Sequence, residues 1–207
     1  MGLKFLTDSG GGTLTDAIDA ISYATMMRKD FGVNIRLTNN SWGGGGFSQT
    51  LHDAIAESAA NDMLFIAASG NEGADLDEFP SFPASYELDN IISVAATDRN
   101  DLLADFSNIG ATSVDVAAPG VDIWSSVPGG YLEADGTSMA APHVSGIVAL
   151  VWDENPNSSY QEVRDAILDT VEPLDSLNGK VATGGRVNAM ATLLEFGLLV
   201  EIGRAHV

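Results

Sequence analysis

Two residue periods alternate along this chain, and that alternation restricts its fold more than any other feature. From Thr13 to Phe31, apolar side chains fall at Leu14, Ala17, Ile18, Ile21, Ala24 and Met27, the stripe of one helix face. Thr13 and Asp16 have capping-box spacing at its start. The run "VNIRLTNNSWGGGG" then reads as a short strand ending in glycines. Ser48 opens a second helix with Leu51, Ala54, Ile55 and Ala59 on one face, and "MLFIAASGNEG" is an apolar strand entering a polar loop. "NIISVAATD" and "VDVAAPG" are two more β-rich runs. Thr137 to Trp152 is small and apolar nearly all round, which predicts a buried helix whose first turn tolerates Pro142. Ser159 and Glu162 form another capping box, and a last helix is predicted from about Val187 to Phe196. Strands alternating with helices imply an α/β fold: a three-layer parallel β-sheet with helices on both faces. In such sheets functional groups gather where the strands end at their carboxyl edge.

The length, 207 residues, suits one domain, taken as 1–197, with a C-terminal tail at 198–207 that has no clear period. Twenty-nine acidic against nine basic side chains give a formal net charge of -20. That balance argues against nucleic acid and anionic membranes as partners, since both need Lys and Arg to displace counterions. Cysteine is absent, so disulfides, zinc–thiolate sites and thiol nucleophiles are excluded. No apolar run approaches the ~18 residues that span a bilayer. Neither the cytoplasm nor the exterior is favoured.

Three stretches at predicted strand ends or helix mouths carry chemistry. In "DGTSMAAPHVSG", Ser138 stands at a helix N-terminus, where a free N–H and the positive dipole end stabilise an oxyanion. Taken alone, it also reads as an N-cap. The nucleophile elbow G-x-S-x-G is rejected, because "SVPGGYLEADG" before it is loop rather than a hydrophobic strand. In "AASGNEG", Asn71 either projects an amide toward a developing negative oxygen or is a turn asparagine. In "NNSWGGGG", glycines at a strand end either let an extended peptide pair closely or form a plain loop.

In this order the three stretches resemble the subtilases, the subtilisin-like serine peptidases. The resemblance runs from about Leu3 to Leu194 and includes "FPASY", "FSNIG", "VDVAAPGVDI" and "GGRVNAMAT". It implies Ser138 as nucleophile and Asn71 as the side-chain donor of an oxyanion hole shared with the Ser138 N–H. It implies Ser41, Trp42 and Gly43 along the substrate, and Gly10 and Gly11 of "SGGG" gripping its other side. Ala68, Ser69 and Gly70 are then the open first pocket, and the substrate is a peptide or small ester. No cofactor and no metal ligand is assigned; calcium is often bound in the family, but "ELDN" and "ATDRND" are only faint carboxylate candidates.

The triad of this family runs Asp, His, Ser. Its D-T/S-G and H-G-T motifs belong ahead of the segment resembling "LKFL", where this sequence has Met1 and Gly2. The expectation is therefore a catalytic domain truncated at its N-terminus, without the N-terminal strands, the Asp or the His. Among the histidines, His143 is five residues beyond Ser138, about 140° round the helix. It is read as a packing residue, His52 as a surface residue, and His206 lies in the tail. The expected activity is at most weak hydrolysis of activated esters; the alternative is a non-catalytic peptide-binding remnant. A missing strand between those resembling "LKFL" and "IRLTNNS" leaves bare edges, which are expected to drive self-association rather than to pair with each other.

Overall fold

The computed structural model describes residues 1–197, and its elements follow the two periods closely. They are α1 (Leu14–Lys29), β1 (Leu37–Asn40), α2 (Gln49–Ala60), β2 (Leu64–Ala68), β3 (Ile91–Thr97), β4 (Val116–Pro119), β5 (Ile123–Val127), β6 (Gly130–Ala134), α3 (Thr137–Glu154), α4 (Tyr160–Asp169), β7 (Glu172–Pro173), β8 (Gly185–Arg186) and α5 (Ala189–Glu195). The helix starts are fixed by their caps. Thr13 accepts from the Asp16 N–H at 3.1 Å, Ser48 from the Leu51 N–H, and Ser159 with Glu162 makes a reciprocal capping box. The expected tail and His206 lie outside the described residues.

The main sheet runs β1-β2-β3-β4-β8-β7, parallel except for β7, which is antiparallel to β8. The wholly parallel expectation fails at that edge, because two-residue strands carry no period to read. Along each central strand the side chains alternate between two cores. Leu64, Ile66 and Ala68 of β2 and Ile92, Val94 and Ala96 of β3 meet α3 through Ala140, Ala141, Val144, Ile147, Val148 and Val151. Phe65, Ala67, Ile91 and Ala95 face the other way, onto Ile21 of α1 and Leu51 and Ile55 of α2. Each fully buried large side chain contributes roughly 1.5–3 kcal/mol, so the two cores clamp the central strands from both sides. Asn90, fully buried ahead of β3, donates to Ile55 O, Ser58 Oγ and Met63 O and ties α2 to the sheet.

Three expectations are corrected. First, α3 is not buried all round: Pro142, His143, Gly146, Ala149 and Leu150 are exposed, because the helix covers only one sheet face. His143 is thus no packing residue; its ring Nδ1 lies 2.9 Å from Met139 O. Second, "SVPGGYLEADG" is not loop but most of a β-hairpin, β5–β6, turned at Pro128-Gly129 with Gly129 at φ +89°. Third, "LKFL" forms no strand. Lys4 pairs with Asp8, the Thr7–Gly11 turn bends the segment, and Phe5 packs edge-on against Trp42 at 5.3 Å. That segment does not pair with β1, which stands at the sheet edge. Beside it runs a recess of about 690 Å³ between Ala17, Ala20, Ile21 and Ala24 of α1 and Ala149 and Trp152 of α3.

Candidate active site

The carboxyl ends of β1 and β2 and the N-terminus of α3 converge on one pocket of about 180 Å³. Trp42, Gly43, Gly44, Ala68, Ser69, Gly70, Asn71, Glu72, Ser81, Phe82, Ala84, Thr137 and Ser138 line it. Seven of the sequence-predicted site residues are therefore brought together in one cavity. An eighth, Ser41, joins through hydrogen bonds: its Oγ donates to Ser138 O at 2.8 Å, and the Ser138 hydroxyl donates to Ser41 O at 3.3 Å.

The first of these bonds has a cause in the sequence. An α-helical N–H bonds the carbonyl four residues earlier. Pro142 lies inside α3, not in its first turn as expected, and has no N–H, so Ser138 O has no helical donor. The Ser41 hydroxyl takes that carbonyl and locks the end of β1 to the mouth of α3.

Two donors face a common volume. The Thr137 N–H is taken by Asn71 Oδ1 at 2.9 Å, and the Met139 and Ala140 N–H groups by Gly136 O. The Ser138 N–H is left as the free donor of the first turn. A Cβ placed on Gly136 would lie 3.6 Å from Asn71 Nδ2 and 3.6 Å from Ser138 N. Both nitrogens therefore lie within reach of one small space beside Gly136.

Thr137, buried and not singled out by the sequence reading, orients that carboxamide. Its hydroxyl accepts from the Gly70 N–H at 3.1 Å and donates to Asn71 Oδ1 at 3.0 Å. With its oxygen engaged twice, Asn71 turns Nδ2 toward the free volume. Gly70 takes φ +112°, and a Cβ there would run into the Asn108 carboxamide and the Glu72 carboxylate. Opposite, Phe82 stacks against Tyr86 with centroids 4.5 Å apart. Burial pushes the Tyr86 phenol up, so it stays neutral and donates to Ser48 O at 2.9 Å.

Gly10 and Gly11 do not line the pocket; they belong to the exposed Thr7–Gly11 turn. His52 sits on α2 beside Asp53 and packs against Phe47 and Tyr86, half-buried rather than on the open surface. Neither it nor His143 is bonded to the Ser138 hydroxyl. Among the described residues no three His, Asp or Glu side chains converge as a metal centre. Asp98 of "ATDRND" accepts from the Asn100 and Leu102 N–H groups of its own turn.

A family model described as the subtilase family matches residues 1–192. Alkaline elastase YaB of Bacillus sp. (strain YaB) is 38% identical over 191 residues, covering 92% of this chain and 47% of that protein. Subtilisin Savinase of Lederbergia lenta is 38% identical over 191 residues, covering 91% of this chain and 65% of that protein. The chain spans less than two thirds of either relative. Among solved structures, the prenylagaramide maturation protease PagA superposes with a TM-score of 0.76 at 28% identity, over 91% of this chain and 69% of that one.

Proposed function

The chain belongs to the subtilase family, and from that premise we propose that it is a serine hydrolase carrying the nucleophile and the oxyanion hole, with weak turnover of activated esters. The observation that carries this reading is the convergence of the Ser138 N–H and Asn71 Nδ2 beside the Ser138 hydroxyl. In the proposed step Ser138 Oγ bonds to the ester carbonyl carbon as its proton passes to water. The two N–H donors hold the negative oxygen, and the bond to the leaving aryloxide breaks as the carbonyl reforms. Water then hydrolyses the acyl-serine.

No imidazole among the described residues holds the hydroxyl, whose partner is the Ser41 carbonyl. That supports esters over peptides, because an amine must be protonated to leave and an aryloxide need not be. In subtilisin itself, loss of the triad serine or histidine costs about 10⁶ in turnover and leaves roughly 10³–10⁴ over water. Amide hydrolysis at that level is undetectable in ordinary assays, whereas 4-nitrophenyl ester hydrolysis is within reach. The test is Ser138→Ala: ester turnover is expected to fall to the buffer rate, and an unchanged rate would remove Ser138 from the chemistry.

A further inference from the structure

Asn108 follows β3 in the chain, more than thirty residues beyond Asn71, yet its side chain serves the Asn71 loop alone. It is 1% exposed. Its Nδ2 donates to Ser69 O at 2.9 Å and to Glu72 Oε2 at 2.7 Å. Its Oδ1 accepts from the Glu72 N–H at 3.1 Å and the Ala74 N–H at 2.9 Å. A carboxamide has two donor hydrogens and two acceptor sites, and here every one is spent on residues flanking Asn71. The main chain adds two further ties: the Asn108 N–H donates to Gly70 O at 3.0 Å, and its carbonyl accepts from Ser69 Oγ at 3.2 Å.

This pattern differs from that of a buried asparagine serving the fold at large. Asn90 spreads its bonds over α2 and the turn ahead of β2. Asn108 instead holds both sides of one residue and leaves that residue's own side chain to Thr137. It also keeps the Glu72 carboxylate against the pocket wall. Released, that negative charge would stand beside a volume that must accept a second one.

We propose that Asn108 is a positioning residue for the oxyanion hole, fixing the Asn71 main chain from below and restraining the Glu72 carboxylate. The proposal rests on the reading of Ser138 and Asn71 given above. Asn108→Ala removes all four side-chain bonds. Asn108→Asp keeps the shape and both acceptors but replaces both donors with charge, directly against Glu72, the titratable group this side chain touches. Two carboxylates at that distance share a proton readily. The aspartate variant therefore regains one O–H donor as the pH falls.

The experiment follows 4-nitrophenyl ester hydrolysis by wild type, Asn108→Ala and Asn108→Asp at pH 8 and pH 5, with thermal unfolding and the ¹⁵N signals of the Asn71 carboxamide recorded on the same samples. At pH 8 both variants are expected to lose about 10- to 100-fold in kcat, less than the roughly 10²- to 10³-fold cost of losing an oxyanion donor outright. KM is expected to change less than threefold, and the single Asn71 NH₂ pair to broaden. At pH 5 the aspartate variant is expected to recover relative to wild type and the alanine variant not to. Unchanged kcat per folded molecule with an unchanged Asn71 pair would overturn the proposal, even if Tm falls. If the alanine variant does not fold, the isosteric aspartate variant and its pH recovery decide. If wild type shows no ester turnover, the nucleophile reading fails, while the Asn71 signals still report on Asn108.

Discussion

Trp42 lines two recesses that are held in different ways. The smaller, about 180 Å³, is walled by loop backbone and polar side chains tied together by directional bonds, from Thr137 to Asn71 and from Asn108 to Glu72. The wider, about 690 Å³, lies between alanines of α1, the edge of β1 and Trp152, held by apolar packing and a rim of ion pairs. Hydrogen bonds fix angles and positions to fractions of an ångström, whereas apolar packing fixes only volume. The recess proposed to aim two N–H groups at one atom is built from the first kind. The comparison teaches that substitutions at the two recesses differ in what they alter: chemistry at one, modest stability at the other.

The largest expected effect is chemical. Asn71→Leu should lower ester turnover about 10²- to 10³-fold, the magnitude known for such a donor in subtilisin, and should also lower Tm, because it strands the Thr137 N–H that Asn71 Oδ1 accepts. Ala20→Ser and Ala149→Ser in the wider recess should leave turnover within about twofold. A comparable loss from the alanine positions would break the comparison. Next comes Asn90→Ala, which removes the ties from its carboxamide to Ile55 O, Ser58 Oγ and Met63 O without touching either recess. It should cost about 3 kcal/mol in urea unfolding at unchanged kcat. Asp62→Asn removes the carboxylate shared by Arg28 and Arg36 near the wider recess. Because these groups are partly solvated, about 1 kcal/mol is expected, and high salt should shrink it.

The smallest effect is one of pH. The Ser159 N–H and hydroxyl hold the Glu162 carboxyl below its ordinary 4.5. A depressed carboxylate stabilises the fold above its unfolded pKa and loses that contribution as the pH falls through its folded value. Glu162→Gln should therefore lower stability slightly at neutral pH and match wild type in strong acid, flattening the acid limb of a stability-against-pH curve below about pH 4.5. An acid limb identical to wild type would count against the capping box as its source.

Much of this could be read from the chain. The helix starts at Ser48 and Ser159 and the four central strands were legible because caps and apolar runs are local signals. Ser138, Asn71 and the "SWG" stretch were legible through family resemblance; Ser138, Asn71, Trp42 and Gly43 line one pocket, and Ser41 is hydrogen-bonded to Ser138. What stayed hidden depends on distance or on solvent. Thr137 and Asn108 act across gaps of more than thirty residues that no spacing reveals. The β5–β6 hairpin escaped because it is exposed on both faces, with Trp124 67% and Tyr131 77% exposed, so burial imposes no alternation on it. His143 looked internal among small apolar neighbours, but one-sided packing of α3 leaves it in water.

Pro142 carries a consequence for anyone wishing to make this molecule sturdier. An interior proline is the first residue a helix-propensity scheme would replace, and alanine there would restore a rung of α3 worth up to ~3 kcal/mol. The restored N–H would compete with Ser41 for the Ser138 carbonyl. A tougher helix would thus come with a looser joint between the end of β1 and the Ser138 turn, a trade of rigidity in the wrong place for precision in the right one.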